Sequence, residues 1–256
     1  MPEHLWTDAV QGVKRLRTRA YRRKTGQVIV EGWPEVSRAL KAGVRVDAMY
    51  LCPEIFQPES GIPENIPVTE VPRDVFAAMA FGSRLKGILA VCRPEPLALA
   101  DVSVPGDATV VVLEAVEKPG NLGAVLRTAD GAGVAAVILC DGKTDLYNQH
   151  VVRSSIGTVF TVPVTAATSE QTYVYLRERG CAILSASAHA AEEYTAVDMR
   201  GPTAIIVGNE HAGVSDFWTR RSDHRVRIPM QGAASSLNVT VSASILIYEA
   251  RRQKTL

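Results

Sequence analysis

From Thr109 onward the chain repeats one pattern, a short and nearly unbroken apolar run followed by a stretch of helical periodicity. The runs are Thr109–Val116, Ala135–Cys140, Val159–Val164, Cys181–Ser187, Thr203–Val207 and Arg225–Ile228; the helical stretches include Leu122–Asp130, Ser169–Arg179 and Ser236–Arg252. A strand with one wet face alternates apolar and polar residues, whereas an unbroken run of valine, isoleucine and leucine has no wet face. Strands of that kind, separated by helices, form a parallel sheet covered on both sides. Ligands of such sheets sit beyond the carboxyl ends of the strands, so the segments that directly follow the runs are where chemistry is to be sought. The last helix carries Leu237, Val239, Val241, Ala243, Ile245, Leu246, Ile247 and Tyr248 and keeps little polar face. A helix apolar nearly all round is covered by its own domain or by a second subunit, and a homodimer is expected.

The segment Arg93–Asp107 is rich in proline and poor in long apolar runs, which reads as a boundary. It divides residues 1–95 from residues 108–256, with 96–107 as linker. Ahead of it lies a small α/β unit, with strands at Gln27–Val30, Ala48–Leu51 and Ile88–Cys92 and helices at Pro34–Lys41 and Arg73–Ala80. The net charge of +1 is uninformative, but its distribution is not. Lys14, Arg15, Arg17, Arg19, Arg22, Arg23 and Lys24 fall in one stretch without an acid. Such a cluster is either a solvated helix face or a set of phosphate contacts.

Cys52, Cys92, Cys140 and Cys181 are scattered and form no CxxC pair, which argues against a zinc or redox motif. No metal is expected. No stretch reaches the length of a membrane span and no secretory leader is recognisable, so a soluble, cytoplasmic protein is expected.

Gly131-Ala-Gly133-Val-Ala-Ala136 half-matches a dinucleotide-binding glycine pattern. That pattern must follow a strand and open a helix, whereas this one closes a helix and precedes a strand, so a C-cap explains it better. Three other segments each follow a strand. They are Glu117-Lys-Pro-Gly-Asn-Leu-Gly-Ala-Val-Leu-Arg-Thr-Ala129, Val207-Gly-Asn-Glu-His-Ala-Gly213 and Ile228-Pro-Met-Gln-Gly-Ala-Ala-Ser-Ser-Leu-Asn-Val239. Singly, each has an ordinary explanation: an N-cap asparagine with Arg127 paired to Asp130, a turn with Glu210 at a helix start, and serines that cap the last helix.

In order and spacing, the three resemble the signature motifs of the SpoU/TrmH family of RNA 2′-O-ribose methyltransferases, in the SPOUT superfamily. The first is matched by Asn121, Gly123, Arg127, Thr128 and Ala129, and the second by Gly208, Glu210 and Gly213. The third is matched by Ile228-Pro-Met230, Gly232 and Ser236-Leu-Asn-Val239. Asp145-Leu-Tyr-Asn148 and Val152-Arg-Ser-Ser-Ile-Gly157 are also similar to family positions, and the resemblance runs from about Val110 to Arg252. Thr240 stands where the family often has serine, and His211 is a less usual residue. In the front unit, Val28-Ile-Val-Glu-Gly32 and Lys86-Gly-Ile-Leu-Ala90 resemble an RNA-binding domain like a small ribosomal protein.

The resemblance implies an α/β SPOUT domain with a parallel sheet and a C-terminal trefoil knot, a rare topology that periodicity cannot reveal. It further implies S-adenosylmethionine as cofactor and a site completed across a homodimer interface. Gly208, Ile228, Met230, Leu237 and Asn238 would hold the cofactor; Asn121, Arg127, Glu210, Ser236 and Asn238 would form the polar site. The basic cluster and Arg153 would contact RNA. The family's arginine is often cast as the general base. A guanidinium stays protonated, so Arg127 is better read as a phosphate clamp that also stabilises charge on the 2′-oxygen, with Glu210 orienting it or Asn121. The front unit favours ribosomal RNA over tRNA. Two rivals remain, a non-catalytic RNA-binding protein of the same fold and a nucleotide-dependent oxidoreductase. The second lacks a strand–GxGxxG–helix unit.

Overall fold

The computed structural model describes residues 3–58, 61–82, 84–142, 144–209 and 211–255. The chain forms two compact units. One is the N-terminal stretch through Glu95 together with Asp145–Thr161; the other is Pro96–Thr144 together with the chain from Val162 onward.

The front unit runs α1 (Glu3–Arg15), α2 (Arg19–Thr25), β1 (Val28–Glu31), α3 (Trp33–Lys41), β2 (Arg45–Leu51), β3 (Val68–Glu70), α4 (Arg73–Met79) and β4 (Ile88–Arg93). Its sheet has the order β1-β4-β2-β3, with β4 antiparallel to both neighbours and β3 parallel to β2. Val13 of α1, Leu16 in the turn after it, Phe76 and Met79 of α4, and Ile29, Leu89 and Val91 of the sheet close one core. The basic stretch therefore folds as the end of α1 and the whole of α2, and Gly26 closes α2 in a left-handed turn at φ 67°.

The second unit begins with β5 (Thr109–Glu114), α5 (Pro119–Ala132) and β6 (Ala136–Cys140). The chain then supplies α6 (Gln149–Ser154) to the front unit, and continues as β7 (Val164–Ala167), α7 (Ser169–Glu178), β8 (Ala182–Ala186), β9 (Glu192–Glu193), β10 (Thr203–Val207), α8 (Asp216–Arg221), β11 (His224–Arg227) and α9 (Val239–Lys254). The sheet order is β7-β6-β5-β10-β8-β11-β9, and every pairing is parallel. All residues of β5, β6 and β10 are buried, as unbroken apolar runs require. Val110, Val112, Ile138, Ile183 and Ile206 pack with Tyr175, Leu176 and Trp218 on one face. The opposite face is covered by α5 and α9, which also pack on each other.

Three expectations shift. The run Val159–Val164 is not a strand: Thr158–Phe160 is a 3-10 turn and the strand starts only at Val164. Gly157 precedes the turn at φ 80°, where an added Cβ would lie 2.9 Å from the Glu35 Cα, and a short apolar run reads the same whether it fills a strand or a buried turn. Residues 96–107, read as a linker, lie on the second unit: Val102 is buried, and Leu97, Leu99 and Val104 pack against the core. Their carbonyls also accept hydrogen bonds, Leu97 from the Thr165 hydroxyl at 2.7 Å and Val102 from the Tyr175 hydroxyl at 2.7 Å. Residues 145–161 cluster with the front unit although the motif spacing assigns them to the second.

That last segment is fixed by charge as well as packing. Nε and Nη2 of Arg22 donate to Asp145 Oδ2 at 2.9 and 2.6 Å, and Nη1 donates to the Leu16 carbonyl at 2.8 Å. Arg22 is 6% exposed. Arg38 donates to the Ile156 carbonyl at 2.9 Å, and Val151 and Val152 of α6 are buried. Removing one partner of a buried pair strands the other charge in a poor solvent. Arg22→Ala should therefore destabilise the front unit by about 3 kcal/mol, whereas Arg23→Ala, an exposed neighbour on the same helix, should stay within about 0.5 kcal/mol. Urea unfolding of the two variants measures both.

Candidate functional site

Parallel strands carry their carboxyl ends to one edge of the sheet, and the second unit's backbone is strained along that edge. Ala115, just after β5, has φ 51°, and Asp141, just after β6, has φ 52°. Side-chain residues occupy this region at a cost and only when neighbours hold them there. Asn209 holds the first by donating from Nδ2 to the Ala115 carbonyl at 3.0 Å. Asp141 is held by a relay: Trp218 Nε1 donates to Ser169 Oγ at 3.0 Å, and Ser169 Oγ donates to Asp141 Oδ2 at 2.6 Å. Trp218 is fully buried.

The loop after β10 folds back on itself. Gly213 N donates to the Asn209 carbonyl at 2.9 Å, and Asn209 Oδ1 accepts from the backbone N–H groups of His211 and Ala212 at 2.9 and 3.2 Å. At Gly208 an added Cβ would lie 2.0 Å from the Gly213 carbonyl oxygen and 2.4 Å from Val214 N. Backbone meets backbone here, so no other residue fits without opening the loop.

Beside this loop is a cavity of about 380 Å³. It lies against β8, β10 and β11, which contribute Ala186, Val207 and Val226. Of the five residues expected to hold a cofactor, Gly208, Ile228, Met230 and Leu237 line it and Asn238 does not, and Ser236 from the polar set lines it as well. Sequence reasoning missed Ser187 and His189, from the loop after β8, and Asn209. The first two lie in no motif. Asn209 stands inside the second motif, where its spacing as a loop-closing residue was a usable signal.

The remaining candidates lie elsewhere. Asn121 sits in the first turn of α5, whose N-cap is Lys118, and its backbone carbonyl accepts from Thr240 Oγ1 at 3.4 Å. Arg127 is exposed on the same helix and is not part of the cavity lining. Asn238 is not in the lining either. It caps α9, accepting from Thr240 N at 2.9 Å, so the cap is this asparagine rather than a serine. Glu210 lies outside the described residues. Gly133 closes α5 at φ 70°, with its N–H directed to the Ala129 and Asp130 carbonyls, the C-cap expected for it.

Of the expected RNA contacts, Lys14, Arg15, Arg19, Arg23, Lys24 and Arg153 are exposed. Two need correction. Arg22 is committed to Asp145, and Arg17 donates to the Met79 and Ala80 carbonyls at 3.0 and 2.7 Å. Both are occupied by the protein because a long cation can lay its apolar stem over the core and turn its head to a protein acceptor, Arg17 from the turn after α1 and Arg22 from α2. Among the described residues no helix is long and apolar enough to cross a membrane.

Comparison with known proteins agrees with this geometry. The SpoU rRNA Methylase family model matches residues 108–248, and the MRM3-like substrate binding domain model matches residues 8–90. The 23S rRNA (guanosine(2553)-2′-O)-methyltransferase RlmP of Bacillus subtilis is 33% identical over 242 residues, 94% of this chain and 95% of its own. A crystal structure of an RNA 2′-O ribose methyltransferase superposes with a TM-score of 0.87 at 35% identity, covering 97% of this chain and 96% of that one. The SpoU methyltransferase AviRb of Streptomyces viridochromogenes, in complex with AdoMet, superposes with a TM-score of 0.86 at 26% identity, covering 96% and 98%. With the loops of its second and third motifs on one cavity at the carboxyl edge of a parallel sheet, the chain belongs to the SpoU rRNA methylase family.

Proposed function

We propose that this chain transfers a methyl group from S-adenosylmethionine to a ribose 2′-hydroxyl of ribosomal RNA. The observation that carries the reading is the cavity lined by Gly208, Ile228, Met230 and Leu237 in a chain of this family. Its volume of about 380 Å³ falls in the range of small-ligand sites. Its walls fit the cofactor: apolar side chains suit a planar base, and the glycine-lined backbone and the hydroxyls of Ser187 and Ser236 suit the ribose and amino-acid end. When bound, S-adenosylmethionine supplies a methyl group activated by a positive sulfur. Ribosomal RNA is favoured by RlmP, named for 23S rRNA, and by the family model, named for rRNA, that matches residues 108–248.

The chain's own residues must position the ribose and manage charge. The 2′-hydroxyl enters protonated, because its pKa lies well above neutral, and its proton passes to solvent water as the oxygen gains the methyl group. The guanidinium of Arg127 holds the neighbouring phosphate and offsets charge growing on the 2′-oxygen. Glu210 orients Arg127 or Asn121. Asn238 spends Oδ1 on the helix cap and keeps its amide donors for the site. The exposed cations Lys14, Arg15, Arg19, Arg23, Lys24 and Arg153 contact phosphates.

We further propose a homodimer in which the partner subunit's Arg127 completes the cavity. Val241 is 45% exposed and Tyr248 is 53% exposed. With half-buried Ile245 they form a stripe at helical spacing on α9, beside the helix that presents Arg127. A monomer in light scattering would remove this reading. The C-terminal chain is taken to pass through the family's trefoil knot, a reading supported by the return of α9 onto α5 and β5.

Incubation of the protein with tritiated S-adenosylmethionine and RNA from a strain lacking the gene tests the reaction. Label in one 23S rRNA nucleotide, resistant to alkali on its 3′ side, is expected; label confined to tRNA would replace the substrate, and no label would reject catalysis. Arg127→Ala should keep calorimetric cofactor binding and lose about a hundredfold or more in kcat. Gly208→Val, which forces the 208–214 loop open, should lose cofactor binding. Co-expression of the two inactive variants should restore activity well above either alone, since half of the mixed sites then hold an intact cavity and an intact arginine; no restoration would mean that each site is built from one chain.

A further inference from the structure

The front unit holds a second, smaller notch, formed by the end of β1, the segment after α4 and the start of α6. Glu31, the last residue of β1, accepts from Phe81 N through Oε2 at 2.7 Å. Its other oxygen, Oε1, is shielded from solvent and receives no hydrogen bond among the described residues, and the same is true of Gln149 Oε1. Burial pushes the Glu31 carboxyl above its usual range, opposed by the Phe81 N–H and by the charges of Arg153, Lys86 and Arg17. A buried acceptor without a donor is costly. The two residues that carry these oxygens line one notch, together with Phe81, Arg84, Lys86 and Arg153.

The enclosed room is about 20 Å³, the room of one water molecule or one amino group. Around it the chemistry changes character. Phe81 is half-buried and braced edge-to-face by His150 at 4.7 Å, which fixes the orientation of a flat apolar surface. Arg84 and Arg153 are exposed, and none of the three cations is ion-paired with Glu31 among the described residues. The bare Gly82 leaves room for Arg153 Nη1, which lies 3.0 Å from where a Cβ would stand. The site thus asks for hydrogen-bond donors at its floor, a planar ring at its wall and an anion at its rim.

We propose that this notch takes the amino edge of one unstacked RNA base, with the ring against Phe81 and the flanking phosphate on Arg84, Lys86 and Arg153. Single-stranded RNA is read in this manner, by stacking on aromatics and hydrogen bonds along the Watson–Crick edge. Adenine, cytosine and guanine carry an exocyclic amine that Glu31 Oε1 and Gln149 Oε1 can accept from. Uracil sets a carbonyl on each side of its single N–H, against the carboxylate. The proposal rests on the reading of RNA as substrate, and it names a specificity site in the front unit, apart from the cavity of the second unit.

The probes are the trinucleotides AAA, CCC and UUU, titrated into ¹⁵N-labelled full-length protein and followed at the Phe81 and Lys86 backbone amides and the Gln149 side-chain amide. AAA and CCC should bind roughly tenfold or more tighter than UUU, the worth of one hydrogen bond to a charged acceptor. Glu31→Gln should reduce them to the level of UUU and leave UUU unchanged, since the phosphate contacts remain. Gln149→Leu should narrow the same preference, and it carries the test if Glu31→Gln does not fold. Equal affinity for the three trinucleotides, a preference that survives both substitutions, or no response of these amides at millimolar concentration would each overturn the site. Methylation of 23S rRNA by the same wild-type preparation separates the two readings. Methylation without base preference sinks the notch alone, and base preference without methylation of any RNA sinks the catalytic reading alone.

Discussion

The parallel pairing of β5 with β6 on one side and β10 on the other is the constraint on which the second unit depends. Strands in this position have no wet face, so each must be covered twice. Val110 and Val112 look toward Trp218 and Tyr175, and the alternate residues Val111 and Leu113 look toward the side that α5 and α9 cover. At about 1.5–3 kcal/mol for each large apolar side chain removed from water, this double cover outweighs any single polar contact in the unit. It also decides where function can lie. Parallel strands deliver all their carboxyl ends to one edge, and the connecting loops have to meet there.

That edge is where the second unit departs from relaxed geometry. Ala115 and Asp141 sit at left-handed angles, and Gly208 sits where a methyl group would collide with backbone. Each departure is balanced by a specific partner: Asn209 for the first, the Trp218–Ser169 relay for the second, and the absence of a side chain for the third. The edge is therefore a rigid frame. A rigid frame suits a reaction whose rate depends on aligning a donor and an acceptor atom.

Much of this was legible in the sequence. The runs that became β5, β6, β8 and β10 could be read because a doubly buried strand has a composition of its own, and the cavity residues Gly208, Ile228, Met230 and Leu237 could be read because they belong to spaced motifs. The start of β7 was misplaced because Val159, buried in a turn, carries the same apolarity as a strand residue. The basic stretch was read as seven equivalent cations, whereas Arg17 and Arg22 face inward. Helix boundaries decide that difference, and the break between α1 and α2 at residues 16–18 leaves no mark in composition. Ser187 and His189 were missed because they come from a loop without a motif. Arg127, expected in the polar site, stands outside the lining of its own cavity, a separation that motif spacing along one chain cannot express.

The path of the chain between units has a consequence for how such proteins arise. The polypeptide leaves the front unit after Glu95, returns to it at Asp145 and leaves again after Thr161. The front unit is thus not a bead strung on the N-terminus that shuffling could add or shed in one cut. A chain shortened at residue 96 would still carry Asp145 without its cation, Gly157 without the Glu35 backbone it lies against, and Val151 and Val152 without cover. Removing the front unit calls for resurfacing of residues 145–161, and grafting it onto another chain means moving two stretches of chain together.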